Sequence, residues 1–396
     1  MDIGFEGGFS CLKKSVNENI HKDWIATENG NWITLNRTGF DTVFANDIRP
    51  DAKAAWVAYF SQIKNNANDI YHLVSIVDLV KQAKNGAKIF PDEIQIVTGG
   101  FPCQDFSVAG KRLGFDSQKS HSGGKLAVDE PTAENRGHLY MWMREVVTLT
   151  LPKLFIAENV KGLTNLGDVK EIIEHDFSEA GDGGYLVVPA KVLSAADYGV
   201  PQSRERVIFF GFKRAALKPE AQLALSQKNI PAEYDPYPPK THGENKAPFV
   251  TCFDAFVGLD EPENSTDLSQ QKYSKAKYMG AHCQGQTEIK LNSVGPTIRS
   301  EHHGNIEYRR LSAEHGGKHD AELAIGLKER RLTVRECARI QTFPDNYQFI
   351  LSKTDTNKSV SSSDAYKIIG NAVPCVLAYN IARNIESKWE KYFTEE

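Results

Sequence analysis

Glu93-Ile94-Gln95-Ile96-Val97-Thr98-Gly99-Gly100-Phe101-Pro102-Cys103-Gln104 is the stretch around which the rest of the chain is organised. Ile94, Ile96 and Val97 form a short β-prone run after the breaker Pro91, which predicts a buried strand. Gly99 and Gly100 are expected to let the backbone turn sharply, and Pro102 to stiffen the loop that presents Cys103. A cysteine held just past the carboxyl end of a parallel strand sits where open α/β sheets carry their chemistry. A free cysteine taken alone is more often packed under a loop than reactive. Its role therefore rests on what surrounds it.

Upstream, Thr42-Val43-Phe44-Ala45-Asn46-Asp47 reads as a strand ending in an acid. A helix follows from Pro50 to Gln62, with Ala54, Ala55, Ala58 and Tyr59 at helical spacing. The stretch 17–37 carries Asn17, Asn19, Asn29, Asn31 and Asn36 and reads as an irregular insertion. Downstream of the cysteine, residues 105–135 hold Gly110, Gly114, Gly123 and Gly124 among Lys, Ser and Asp, the composition of a lid or a disordered loop. His138 to Thr150 reads as a helix, and Leu154-Phe155-Ile156-Ala157-Glu158-Asn159 as a buried strand running into a carboxylate. Leu186 to Leu193 and Val207 to Gly211 are two further strands, expected to pair. Strands alternating with helices predict a mostly parallel α/β sheet.

The character changes after Lys213. Pro231, Pro236, Pro238 and Pro239 mark a linker, and the loop-rich segment to about Arg330 reads as a second, smaller domain. From Ser363 the chain returns to helix, through Ile369-Gly370-Asn371-Ala372-Val373-Pro374 and then from Val376 to the end.

With 396 residues, 25% of them charged and 40% hydrophobic, the composition is that of a globular protein of about two domains. No apolar run approaches the roughly 20 residues needed to span a bilayer, and no signal peptide opens the chain, so no membrane partner is expected. The six cysteines form no CxxC pair, which implies reduced thiols and a cytoplasmic location. The net charge of −4 hides an asymmetry: Lys272 to Arg339 holds 13 Lys and Arg against 8 Asp and Glu. That excess fits a polyanion-binding face and equally a solvated surface. A zinc site on Cys283, His302 and His303 lacks paired ligand spacing, and no metal is expected.

Three elements carry candidate chemistry. Cys103 is a candidate nucleophile, Glu158 an acid beside it if their strands are neighbours, and Arg204 and Arg206 share a face if their stretch is extended. Singly, Glu158 also fits a helix cap and the arginines also fit surface ion pairs. Together and in this order they resemble the cytosine-5 DNA methyltransferase family. The resemblance covers nearly the whole chain: Gly100-Phe101-Pro102-Cys103-Gln104, Glu158-Asn159-Val160, Gln202-x-Arg204-x-Arg206, Arg331-Leu332-Thr333-x-Arg335-Glu336-Cys337-Ala338-Arg339-Ile340-Gln341-x-Phe343-Pro344 and Gly370-Asn371-Ala372-Val373-Pro374.

The resemblance implies a Rossmann-like S-adenosylmethionine-dependent methyltransferase domain with a smaller target-recognition domain. By it, residues 1–213 and 350–396 are catalytic and 214–349 read the target. Cys103 is implied as the thiolate that adds to cytosine carbon 6, with Arg204 as a cationic neighbour. Glu158 is implied to hydrogen-bond ring nitrogen 3 and the exocyclic amine, with Arg206 in the same catalytic set. The cytosine must leave the stack, and the 105–135 loop, with Gln104, Ser107 and Lys111 or Arg112, would close on it and on phosphates. For S-adenosylmethionine the implied contacts are Asp47 to the ribose, Ile48 to the adenine, Ser75 in place of the family's usual Asp, and Asn371 and Val373. Arg299, His302 and Arg309 are implied readers of DNA.

One family feature is absent, the Phe-x-Gly-x-Gly-Gly turn after the first strand. Met1-Asp2-Ile3-Gly4-Phe5-Glu6 resembles the helix start that follows that turn, and Gly4, Gly7 and Gly8 have the wrong spacing to replace it. A chain start at an internal methionine is the simplest reading, and the catalytic domain is expected to be N-terminally truncated. The expected function is a monomeric, site-specific methyltransferase acting on double-stranded DNA, with a restriction endonuclease as its functional rather than physical partner. Two alternatives stay open, a transfer-RNA methyltransferase and a catalytically impaired DNA-binding relative.

Overall fold

The apolar run before Cys103 does fold as a strand, over Ile96–Gly100 and half-buried to exposed rather than buried as expected, and most of the other apolar runs follow suit. This is seen in a computed structural model that describes residues 1–101, 140–165, 167–300, 306–350 and 360–394. The chain divides into two compact units. One comprises Met1–Leu73, Ala195–Arg204 and Pro239–Ala382, and the other Val74–Ser194, Glu205–Pro238 and Arg383–Glu396.

In the first unit the chain opens with a helix, Asp2–Glu6. A side chain at Gly4 would place its Cβ 2.5 Å from Ala378 Cβ and 2.6 Å from the Cys375 carbonyl, so only glycine allows this approach to the helix Cys375–Glu386. Strands β1 (Ser10–Leu12), β2 (Ile25–Asn29) and β3 (Trp32–Leu35) form an antiparallel sheet in the order β1-β3-β2. Residues 17–37 are therefore not an irregular insertion. The period-two alternation of Trp32-Ile33-Thr34-Leu35, with Ile33 and Leu35 buried, outweighs the asparagine content.

The strand expected over Thr42–Asp47 shortens to β4 (Ala45–Asn46), which runs parallel to β5 (Tyr71–His72). The Thr42 N–H donates to the Glu6 carboxylate at 3.1 Å and so is lost to any ladder. The helix Pro50–Phe60 forms as expected, with proline in its first turn.

The basic excess of Lys272–Arg339 is largely internal. Arg310 and Arg330 share Glu261, Arg330 also pairs with Glu336, Arg309 with Glu322, Arg335 with Asp267 and Arg339 with Asp345. These guanidinium groups bind short turns together around the helix Val334–Ile340, which a Thr333–Glu336 capping box opens. Few of these charges face solvent, and the exposed cations of the segment are lysines.

The second unit holds β6 (Ile96–Gly100), β7 (Leu154–Val160), β8 (Tyr185–Ser194) and β9 (Glu205–Lys213), ordered β6-β7-β9-β8. β6 and β7 are parallel, while β9 is antiparallel to both β7 and β8. The sheet is thus mixed rather than mostly parallel. Residues 195–204, which join β8 to β9, are too few for the dozen or so that a parallel crossover needs. Leu154, Phe155, Ile156 and Ala157 are fully buried in β7, and the Phe155 ring stacks on Phe177 at 4.6 Å.

Gly99 and Gly100 lie inside β6, and neither takes a left-handed conformation, so they do not make the expected turn. The C-terminal helix is interrupted, running over Cys375–Glu386 and resuming as Trp389–Tyr392. Among the described residues no helix is long and apolar enough to cross a membrane.

Candidate active site

Glu158 sits at the carboxyl end of β7, opposite Gly100 of β6 and Ile208 of β9. Arg206 reaches it from β9, its Nε 2.7 Å from Glu158 Oε1. The other carboxylate oxygen points at Gly100: a Cβ there would lie 3.1 Å from Glu158 Oε2. Gly100 is therefore the clearance that lets a buried carboxylate stand at the strand end. The next residue, Asn159, is buried and donates from Nδ2 to the Phe101 carbonyl at 3.4 Å, while its Oδ1 accepts the Val160 N–H at 2.8 Å. It ties the end of β7 to the residue that precedes Pro102. Sequence reasoning gave Asn159 and Gly100 no such roles, although both lie inside the quoted motifs.

Cys103, Gln104, Ser107 and His302 lie outside the described residues, as does the 105–135 loop. Arg204 belongs to the first unit, is buried, and donates to the Ile298 carbonyl at 3.1 Å and the Gly370 carbonyl at 2.8 Å. Gln202 works beside it. Its Oε1 accepts the Ile298 N–H at 3.2 Å, and its Nε2 donates to Ile340 O at 3.3 Å and to Gln341 Oε1. The Gln202-x-Arg204 pair thus clamps Ile298, Gln341 and Gly370 together, the last two from motif segments read in the sequence. Gly370 is needed there, because a Cβ would lie 2.5 Å from the Arg299 carbonyl carbon.

Arg299 gives one guanidinium nitrogen to Glu307 Oε1 at 2.9 Å. Arg309 faces inward, 2.7 Å from Glu322 and over the Phe256 ring.

For a cofactor, the first unit offers an acid after a parallel strand. Asp47 follows β4, and its Oδ1 accepts the Arg49 N–H at 3.0 Å. Burial pushes its carboxyl above the ordinary aspartate range, against the opposing pull of the Arg49 amide and charge. Beside it Ile48 is 57% exposed, an apolar face with no protein covering most of it. An acid for a ribose diol next to an open aliphatic face fits the adenosine portion of S-adenosylmethionine. In the same unit, Val373 is buried and Asn371 exposed at the end of the helix Ser362–Asn371. Ser75, in the second unit, is the N-cap residue of the helix Ile76–Lys84, and its hydroxyl makes no capping bond there.

A mixed α/β sheet with a carboxylate–arginine pair at one strand end fits a Rossmann-like methyltransferase fold. The solved structure of S. pombe Dnmt2 methyltransferase has that fold: it matches with a TM-score of 0.51 at 16% identity, over 87% of this chain and 91% of its own. Residues 23–387 match the family model of C-5 cytosine-specific DNA methylase, and the chain belongs to that family. Among its relatives, the Type II methyltransferase M.BsuRI of Bacillus subtilis is 31% identical, the match covering 100% of this chain and 78% of the relative. M.BspRI of Lysinibacillus sphaericus, also a Type II methyltransferase, is 32% identical over 97% of this chain and 78% of its own length.

Proposed function

We propose that the chain is the modification half of a bacterial restriction–modification pair, a site-specific DNA (cytosine-5) methyltransferase acting as a cytoplasmic monomer on duplex DNA. One observation carries the catalytic part: a buried carboxylate at the strand end, held by Arg206 through one oxygen and cleared by Gly100 at the other. The motif order and the Type II names of the relatives support the rest.

In this reading the target cytosine leaves the duplex, at a cost of a few kcal/mol. The Cys103 thiolate forms a bond to carbon 6, and the ring electrons move onto carbon 5. Glu158 hydrogen-bonds ring nitrogen 3 and the exocyclic amine, favouring the protonated ring that accepts the thiolate. Arg206 fixes the rotamer of Glu158 so that this hydrogen-bond geometry is set before the base arrives. S-adenosylmethionine, when bound, supplies the methyl group for carbon 5, and Asp47, Ile48, Ser75, Asn371 and Val373 are the residues proposed to hold it. The carbon-5 proton then leaves to a base, the carbon–sulfur bond breaks, and Cys103 is regenerated. Residues 214–349 are proposed to recognise the target, with 1–213 and 350–396 forming the catalytic domain.

The test is methyl transfer from labelled S-adenosylmethionine to unmethylated duplex DNA and, in parallel, to transfer RNA. A duplex library substituted with 5-fluorocytosine should trap a covalent adduct on the wild type and on Cys252→Ser, and none on Cys103→Ser. Burial pushes the Cys252 thiol up to about 12, which keeps it out of thiolate chemistry. Transfer to transfer RNA alone, or an adduct that survives in Cys103→Ser, would overturn the assignment.

A further inference from the structure

Most of the arginines that bind the first unit together meet carboxylates, but Arg331, like Arg204, donates to main-chain carbonyls. It is 1% exposed, and its guanidinium donates to four main-chain carbonyls: Ala276 at 2.9 Å, Gly285 at 2.7 Å, Lys277 at 3.4 Å and Ile306. It also stacks 4.2 Å from the centroid of the Tyr308 ring. Glu307 and Glu329 act on it only through longer-range attraction. A buried cation satisfied by carbonyls alone keeps its full charge beneath whatever lies above it.

What lies above is the loop Lys272–Gln284. From Lys272 to Thr287 the sequence holds three lysines and one histidine and not one acid. Lys272, Lys275 and Lys277 are exposed, and among the described residues none of them has an ion-pair partner. The loop is nonetheless firmly held. Val334 N–H donates to the Lys272 carbonyl at 2.9 Å, Ser274 N–H to Tyr366 Oη at 3.2 Å, Tyr308 Oη to the Ala276 carbonyl at 3.3 Å, and Met279 N–H to Gln286 Oε1 at 2.9 Å. Main-chain carbonyls are drawn inward while the side chains at 275 and 277 face solvent, with half-buried Ala276 and Tyr278 alternating between them. A fixed backbone, lysines without a carboxylate partner (Lys275 Nζ lies 3.3 Å from the centroid of the Tyr273 ring) and a buried cation below together suit the loop to an anion.

We propose that the Lys272–Gln284 loop is a fixed phosphate-backbone contact for duplex DNA, with Lys275 and Lys277 as the contacting cations and Arg331 as the positioning residue. This rests on the reading of the chain as a DNA methyltransferase and adds a sequence-independent contact to it. Phosphate contacts of this kind set register and orientation and leave the choice of sequence to other residues.

The experiment measures binding of the full chain to mixed-sequence duplexes of about 30 base pairs by anisotropy, at several salt concentrations. Each phosphate contact contributes about 0.9 to the slope of log affinity against log salt. Lys275→Ala/Lys277→Ala should therefore lower the slope by about 1.8 and weaken all duplexes alike, while Lys275→Arg/Lys277→Arg keeps the wild-type slope. Arg331→Lys should weaken binding with both lysines intact and speed hydrogen exchange at amides 274–286. An unchanged slope in the double alanine variant, with the wild type binding normally, would overturn the loop assignment alone. Loss confined to one methylated sequence would make the lysines base readers and overturn the backbone assignment. If the wild type binds transfer RNA and no duplex, this inference and the proposed function fall together.

Discussion

Arg206 Nε and Glu158 Oε1 lie 2.7 Å apart with their side chains only 12% and 11% exposed, so each of these charges is buried against the other. Removing one partner strands the other away from water. Arg206→Ala should lower kcat for methyl transfer by at least the roughly 10²-fold typical of a lost acid–base group, with a fall in Tm. Glu158→Gln should cost a similar factor in kcat. Because the two act as a unit, the double variant should be little worse than either single one. Steady-state rates for the four proteins give the cycle, and additive losses would show that the pair is not one catalytic element.

Gly100 and Gly99 give a controlled comparison inside one strand. A methyl at 100 would lie 3.1 Å from a carboxylate fixed by Arg206, whereas a methyl at 99 would meet the flexible Met143 sulfur at 3.1 Å. Gly100→Ala should displace Glu158 by a few tenths of an ångström and cut kcat by about tenfold, since misplacement by about 1 Å can cost 10²-fold. Gly99→Ala should stay within about twofold of the wild type. Equal effects in the two variants would sink the clearance argument.

The two strands that meet at the site were legible because Ile96–Val97 and Leu154–Ala157 are short apolar runs with breakers beside them. The β2–β3 hairpin was hidden by its asparagines, and the shortening of β4 could not be read because its cause, the Glu6 carboxylate on Thr42, is distant in sequence. The orientation of β9 follows from the length of the 195–204 connection, a signal present in the sequence but outweighed by the helix–strand alternation. The basic segment left both of its readings open for another reason. Net charge counts arginines but does not say which face inward, and here Arg310, Arg330, Arg331 and Arg335 are buried. Glu158 and Arg206 were legible as motif residues, whereas their separation and the Gly100 clearance needed coordinates.

Asp47 should show a trade between binding and stability. Burial raises its carboxyl above the ordinary range, so ionised Asp47 costs folding free energy at neutral pH. The sign is that of a carboxyl with a raised folded pKa: it favours the folded state while protonated and opposes it above that pKa. Asp47→Asn should therefore raise Tm at pH 7 while weakening S-adenosylmethionine in calorimetric titration. Wild-type affinity for the cofactor should begin to fall, on acidification, above the pH at which an exposed aspartate titrates. A variant that binds the cofactor as tightly as wild type would remove Asp47 from the proposed ribose contact.

Arg299 tests the division between reading and holding. Its guanidinium spends one nitrogen on Glu307, and its backbone packs on Gly370. As a base reader it should contribute roughly 1–3 kcal/mol of discrimination. Arg299→Ala should then weaken the cognate duplex, once the methylated sequence is mapped, more than a scrambled one. Equal loss on both duplexes with a lower salt slope would put it among the phosphate contacts. Glu307→Gln, which removes the charge that Arg299 pairs with, should change the cognate affinity in the same assay.

The last expectation concerns acid. Glu261 accepts from Arg330 at 2.8 and 3.2 Å and from Arg310 at 3.2 and 3.4 Å. Burial alone would raise its carboxyl, but the Arg330 and then the Arg310 hydrogen bonds and charges outweigh it and bring it down to about 2 from 4.5. A carboxyl with a depressed folded pKa stabilises the protein above its unfolded value, and that stability drains away as pH falls through the folded one. In Glu261→Gln each arginine keeps a carboxylate, Arg330 through Glu336 and Arg310 through Glu322, so the variant should fold. Its Tm should lie below that of the wild type by a constant amount from neutral pH down to about 4.5, and the gap should close between there and about 2. Thermal melts of both proteins across that range measure it, and a gap that ignores pH would mean that the Glu261 charge contributes nothing to holding this unit together.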